Sequence, residues 1–214
     1  MTEFGDVRLE LVRRALKNSR YITQGGFEAL SYMNLDDVIF GDDRQKNHAE
    51  WLETFVTSLV TEIGRIAQEN NVSRLAFIDK GGQGPVGVLP LAGAILLRSK
   101  LDGALIKPYK RTLRSMYRGK AIAHNERFLI VSDVSTSGRT ILSAAEVIRM
   151  HGGIVDTALA LYDQGAGASE NLAPKGITLI SFADRLYVEG SGDQALIESL
   201  SPPPRSLVEL GATI

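Results

Sequence analysis

The chain has 214 residues, 44% of them hydrophobic, enough for one domain with a full core and an attached subdomain. Its 24 basic and 25 acidic residues give a formal net charge of −1, which excludes a molecule built as a whole to coat nucleic acid. Cysteine is absent, excluding disulfides and thiolate metal sites, and no apolar run approaches the roughly 18 residues of a membrane span.

The elements follow in chain order. The start, "MTEFGDVRLELVRR", is charged throughout and is not patterned as a signal peptide, so a cytoplasmic protein with no membrane partner is expected. Val7, Leu11, Val12 and Leu16 form a helical stripe over 7–19. Residues 20–40 are aromatic-rich and broken by glycine, which predicts small strands and turns. From Trp51 to Ile66 the apolar residues fall on one face, predicting a strong amphipathic helix. Beyond it the pattern changes to apolar runs alternating with helical segments. Strands are expected at 74–79, 103–107, 127–133, 154–162 and 176–182, with helices at 85–99 and 139–151. Continuous apolar strands separated by helices indicate an α/β protein, a Rossmann-like parallel sheet flanked by helices on both faces. Residues 191–214, ending "SPPPRSLVELGATI", are read as a tail.

Sheets of this kind bind ligands beyond the carboxyl ends of their strands, and three segments there carry chemistry. The first, "DKGGQGPVG" (79–87), contains a literal G-x-G-x-x-G from Gly82 to Gly87. A dinucleotide site is disfavoured because Lys107 stands where an acid is expected. A Walker A loop is excluded, since Val88 and Leu89 follow Gly87. A tight strand-to-helix turn fits the same glycines. The second, "KPYKRTLRSMYRGK" (107–120), holds Lys107, Lys110, Arg111, Arg114, Arg118 and Lys120 with no acid, and predicts a solvated basic loop or one that closes over phosphate.

The third is "FLIVSDVSTSGRT" (128–140). A turn feeding a helix start exposes backbone N–H groups backed by the helix dipole, which attracts phosphate. Thr136, Ser137 and Thr140 add hydroxyls, Gly138 permits a tight fold, and Asp133 can accept from sugar hydroxyls or hold hydrated Mg²⁺. Helix capping explains each residue singly; the ordered combination favours an anion site. His48, His124 and His151 share no metal-ligand spacing, and no protein metal site is expected.

"LIVSDVSTSGRTILSAAEVIRMHGG" resembles the phosphoribosyl-pyrophosphate (PRPP) signature of type I phosphoribosyltransferases. The likeness extends to orotate phosphoribosyltransferases over most of the chain. "GGFEALSYMNLDD" is similar to their N-terminal hood, "GVLPLAGAI" to a helix start, "IKPYK" to a basic strand end and "YDQGAGASENLAPKGITLISFAD" to their closing segment. The resemblance divides the chain into an N-terminal helix and small hood (1–45), a phosphoribosyltransferase core (46–190) and the tail. It implies an enzyme in which a nucleobase nitrogen attacks C1′ of PRPP while Mg²⁺-pyrophosphate leaves, working as a homodimer. Ser132, Asp133 and Ser135 through Thr140, Arg139 included, would bind PRPP with Lys80, Gly81 and Gly82. Asp133, Lys107 and Lys110 would serve the chemistry, with Gln164 and Phe27 beside the base. Ser132 stands where the family has its first acid, and Gln164 where it has an orotate-binding Arg. Losing that charged partner costs about 1.5–3 kcal/mol per hydrogen bond, which reads against tight orotate binding. The alternative is a non-catalytic PRPP- or nucleotide-binding regulator; a dinucleotide-binding protein is a third.

Overall fold

A computed structural model of the chain describes residues 6–17, 20–21, 31–32, 38–39, 47–79, 88–116 and 122–200. Its centre is a six-stranded sheet of β3 (Arg74–Ile78), β4 (Asp102–Lys107), β5 (Thr112–Met116), β6 (Arg127–Ser135), β7 (Ile154–Asp163) and β8 (Thr178–Asp184). Their order is β5-β4-β3-β6-β7-β8, all parallel except β5, which pairs antiparallel with β4. A separate antiparallel pair, β1 (Arg20–Tyr21) and β2 (Ser31–Tyr32), lies in the segment expected to form small strands and turns.

Each central strand buries both faces, and alternation along the strand assigns its side chains to opposite layers. Leu75, Phe77, Leu129, Val131, Leu159 and Leu161 face one layer, made by α1 (Val7–Lys17), α2 (His48–Glu69) and α3 (Leu89–Ser99). Ala76, Ile78, Phe128, Ile130 and Ala158 face the other, where α4 (Arg139–Met150) lies with Ile141, Ala144, Ala145 and Ile148 inward. The long α2 forms as its stripe predicts. Trp51 stacks on Phe55 at 5.3 Å between ring centroids, Phe55 meets Phe182 edge-on, and the Arg14 guanidinium lies 4.4 Å over Trp51.

At the amino end of the sheet Arg74, fully buried in β3, pairs through Nε with Glu126 at 3.0 Å and reaches toward Asp102. The β6–β7 ladder carries a bulge nearby. Phe128 opposes Val155 but Leu129 opposes Thr157, so Asp156 is surplus, and its carboxylate pairs with Arg127.

The structure departs from the sequence-based expectations in four places. The basic segment 107–120 is not one loop: a 3₁₀ turn at Pro108–Lys110 leads into edge strand β5, with residues 117–120 outside the described set. β6 runs to Ser135 rather than stopping near Asp133, because Val134 and Ser135 still pair with Tyr162 and Asp163. The helix expected at 85–99 spans Leu89–Ser99, with Pro90 in its first turn; residues 80–87 lie outside the described set. Within the segment read as tail, α7 (Gln194–Ser199) puts Leu196 and Leu200 into the core, after α5 (Ala168–Leu172) and α6 (Arg185–Gly190); residues 201–214 lie outside the described set.

Candidate active site

Five parallel strands end together, at Ile78, Lys107, Ser135, Asp163 and Asp184. Ser135, Asp163 and Asp184 stand in register across β6, β7 and β8. The rim carries both signs of charge. Lys107, Lys110 and Arg111 follow β4, with Asp79 paired to Lys107, while Asp163, Glu170 and Asp184 lie near one another on the β7–β8 side, with Arg185 next in the chain. Burial pushes the Asp163 carboxyl up from its ordinary range; the Gly165 N–H opposes this, and the nearby Asp184 and Glu170 charges add to it. Burial likewise pushes the Tyr162 hydroxyl up to about 12.

The junction of β6 and α4 is built to leave donors exposed. Gly138 takes the left-handed conformation (φ 73°) immediately before the helix. The first helical bond there runs from the Leu142 N–H to the Gly138 carbonyl at 2.9 Å. The N–H groups of Arg139, Thr140 and Ile141 meet no backbone acceptor among the described residues, the ordinary state of a helix's first turn. At the end of β6, Ser135 Oγ is buried, 2% exposed, with no hydrogen-bond partner among the described residues. A buried hydroxyl without a partner is costly.

The sequence-predicted residues fall into three groups. Ser132, Asp133, Ser135, Thr136, Ser137, Gly138, Arg139 and Thr140 are brought together as one strand end, turn and helix start. Ser132 and Asp133 are buried within β6, and Ser132 Oγ donates to Asp133 Oδ1 at 3.3 Å. The second group is redirected. Lys107 Nζ lies 2.7 Å from Asp79 Oδ2, and the Tyr109 hydroxyl donates to the Asp79 carbonyl at 2.9 Å. Lys107 is therefore held by a carboxylate in this structure, while Lys110 is exposed on the 3₁₀ turn. Gln164, expected beside a base, turns its carbonyl to the turn after β6, where Oε1 accepts from Thr136 Oγ1 at 3.0 Å. The third group, Lys80, Gly81, Gly82 and Phe27, lies outside the described residues.

Two features escaped the sequence reading. Asp79 precedes Lys80 in the quoted glycine-rich segment, so its position was visible although its pairing with Lys107 was not. Asn171, whose Nδ2 donates to the Ser137 carbonyl at 3.0 Å, sits 34 positions downstream and gave no signal. Among the described residues no group of three or more His, Asp or Glu side chains is arranged to hold a metal ion. No helix among them is long and apolar enough to cross a membrane.

No protein-family model matches the chain. Among curated proteins, orotate phosphoribosyltransferase of Aeropyrum pernix is 35% identical over 97 residues, 45% of this chain and 52% of that protein. The same-named protein of Methanoculleus marisnigri is 31% identical over 131 residues, 58% of this chain and 70% of the relative. The chain thus spans only about half the length of some of the curated relatives it matches. The crystal structure of the Aeropyrum pernix orotate phosphoribosyltransferase superposes with a TM-score of 0.59 at 27% identity, covering 85% of this chain and 99% of that one. The mostly parallel sheet, the turn at Gly138 and these relatives lead to one assignment: the chain belongs to the orotate phosphoribosyltransferase family, with the type I phosphoribosyltransferase fold.

Proposed function

We propose that the protein is an orotate phosphoribosyltransferase-like enzyme. It transfers the 5-phosphoribosyl group from PRPP to orotate or a related nucleobase and releases pyrophosphate in nucleotide biosynthesis. The observation that carries this is the β6–α4 junction, where among the described residues the N–H groups of Arg139, Thr140 and Ile141 have no backbone acceptor and the Ser135 hydroxyl at the end of the strand is buried without a partner. That donor set suits a phosphate monoester. The curated relatives, named for this activity, supply the chemistry around it.

In this proposal the turn from Ser135 to Thr140 holds the 5′-phosphate, with Asp133 accepting from the ribose hydroxyls. Lys107 and Lys110, with Lys80, Gly81 and Gly82, receive the departing diphosphate. Lys107 reaches it by exchanging Asp79 for a diphosphate oxygen. Glycosyl transfer passes through an oxocarbenium-like state, so the protein's contribution is positioning and fixed charge rather than a covalent nucleophile. Cations placed where charge accumulates on the leaving group favour the transition state over the bound substrate. Were Mg²⁺ carried in by the substrate, which leaves most of its coordination to water and phosphate oxygens, Asp133 would be the carboxylate to hold it, and the ion would supply neutralisation of the diphosphate charge. Phe27 and Gln164 are proposed to lie beside the base; a homodimer is carried over from the family resemblance, and a cytoplasmic location from the lack of cysteine and the charged start of the chain.

Incubating the protein with PRPP, Mg²⁺ and a panel of bases tests this directly. Pyrophosphate release with at least one base is expected. Silence across the panel overturns the enzymatic reading, and PRPP binding without turnover would replace it with a regulatory one.

A further inference from the structure

We infer that Asn171 is a positioning residue for the phosphate turn: from α5 it fixes the Ser137–Gly138 peptide, and so the direction in which the Gly138 N–H points. The inference rests on the phosphate-binding role proposed above for the β6–α4 junction.

Two peptides of the turn are fixed from the same neighbour, the stretch of chain from the end of β7 through α5. The Gln164 N–H donates to the Ser135 carbonyl at 3.0 Å, and Asn171 Nδ2 donates to the Ser137 carbonyl at 3.0 Å. In a planar trans peptide the C=O and the following N–H point in opposite directions. Anchoring these two carbonyls toward the β7–α5 side therefore sends the Thr136 and Gly138 N–H groups away from it. Thr136 is also tied by its side chain, since its hydroxyl gives its proton to Gln164 Oε1. With that proton committed, Thr136 in this arrangement braces the turn, and donation to phosphate falls to the amides, to Ser135 and to the neighbouring hydroxyls.

The Ser137–Gly138 peptide is where such bracing is needed. Glycine accepts φ of either sign at little cost, so the residue that permits the turn also permits its peptide to flip. A flip would replace an outward N–H by a carbonyl oxygen, which repels phosphate. The bond from Asn171 holds the carbonyl in its present direction. Leu172, buried in the same short helix, packs close to Gly138, so α5 is itself seated against the turn it braces. Asn171 is exposed and contributes nothing to the core, so the bond to Ser137 can be removed while leaving the packing intact.

The test is calorimetric titration of ribose 5-phosphate into the wild-type protein, Asn171→Ala and Asn171→Asp, with thermal melts of all three. Asn171→Ala is expected to weaken binding about five- to ten-fold, the worth of one hydrogen bond. Asn171→Asp, which cannot donate when ionised and adds negative charge near the phosphate, is expected to weaken it further. In turnover assays the KM for PRPP should rise in both while the KM for the accepted base holds, a division that general loosening of the fold would not produce. Wild-type affinity in both variants, or parallel rises in the two KM values, overturns the inference while leaving the phosphate site standing. Failure of the wild-type protein itself to bind ribose 5-phosphate removes the site, and the inference with it.

Discussion

Gly138→Ala tests the turn where it is least forgiving. The backbone there has φ 73°, and a Cβ would lie 3.0 Å from Leu172 Cγ, 3.1 Å from Leu172 Cδ1 and 3.3 Å from the Ala168 carbonyl oxygen. The left-handed conformation alone costs an L-residue about 1–2 kcal/mol. Leu172 is fully buried and yields only by disturbing its neighbours, and the carbonyl is backbone, so about 1 kcal/mol more is expected from overpacking. A total of about 2–3 kcal/mol corresponds to a fall in Tm of roughly 4–12 °C for a domain of this size. The methyl also pushes on the segment that carries Asn171, so phosphate binding should fall with stability. Differential scanning calorimetry and a titration with inorganic phosphate measure the two effects. A variant that melts within about 1 °C of wild type and binds phosphate equally well would refute both the strain and the placement of the anion site.

Other outcomes follow from neighbouring features. Asp133→Asn should lower kcat/KM for PRPP by at least about ten-fold. His151→Ala, which removes only a bond to the Val147 carbonyl at the far end of α4, should leave it unchanged; steady-state kinetics of the pair check the placement. Lys107→Ala should lower kcat about 10²-fold through loss of a fixed cation at the leaving group, with little change in denaturant midpoint because the Asp79 pair is partly exposed. Asp163→Asn should raise Tm at neutral pH. Its carboxyl titrates higher folded than unfolded, so ionisation costs stability above the folded pKa, and that cost vanishes below the unfolded pKa. The gain should shrink as melts are taken into the acid range, and a gain independent of pH would contradict the cause given. Glu126→Ala, which removes the principal counterion of buried Arg74, should cost about 3–5 kcal/mol by urea unfolding.

The sheet was readable because its central strands are buried on both faces, and such strands write themselves as unbroken apolar runs such as "LAFI" and "FLIV". β5 was not. It has one hydrogen-bonded neighbour and carries Arg114 on its exposed side, with Leu113 only half-buried, so an edge strand looks like a basic loop. The end of β6 was placed early because Ser132 and Asp133 are polar. What prolongs the strand is its pairing with β7, and that depends on residues 28 positions away. The left-handed turn at Gly138 and the helix start after it were legible from the glycine and hydroxyls, since those are local demands on the backbone. The turn's bracing was not, because Gln164 and Asn171 act across the fold through single hydrogen bonds, and one amide in a sequence carries no mark of its partner.

The surplus Asp156 near the amino end of the sheet acts at the opposite rim. Were the β6–β7 ladder regular from Arg127 onward, Ser135 would oppose Tyr162, and a phenol ring would stand where the carboxylate of Asp163 now does. Side chains alternate along a strand, so the same slip would turn every β7 side chain beyond it to the other face and carry Gln164 out of step with Thr136. One inserted residue at the floor thus sets the phase of the strand ends at the opposite rim. Straightening that irregularity during redesign would rearrange that rim without altering any residue in it.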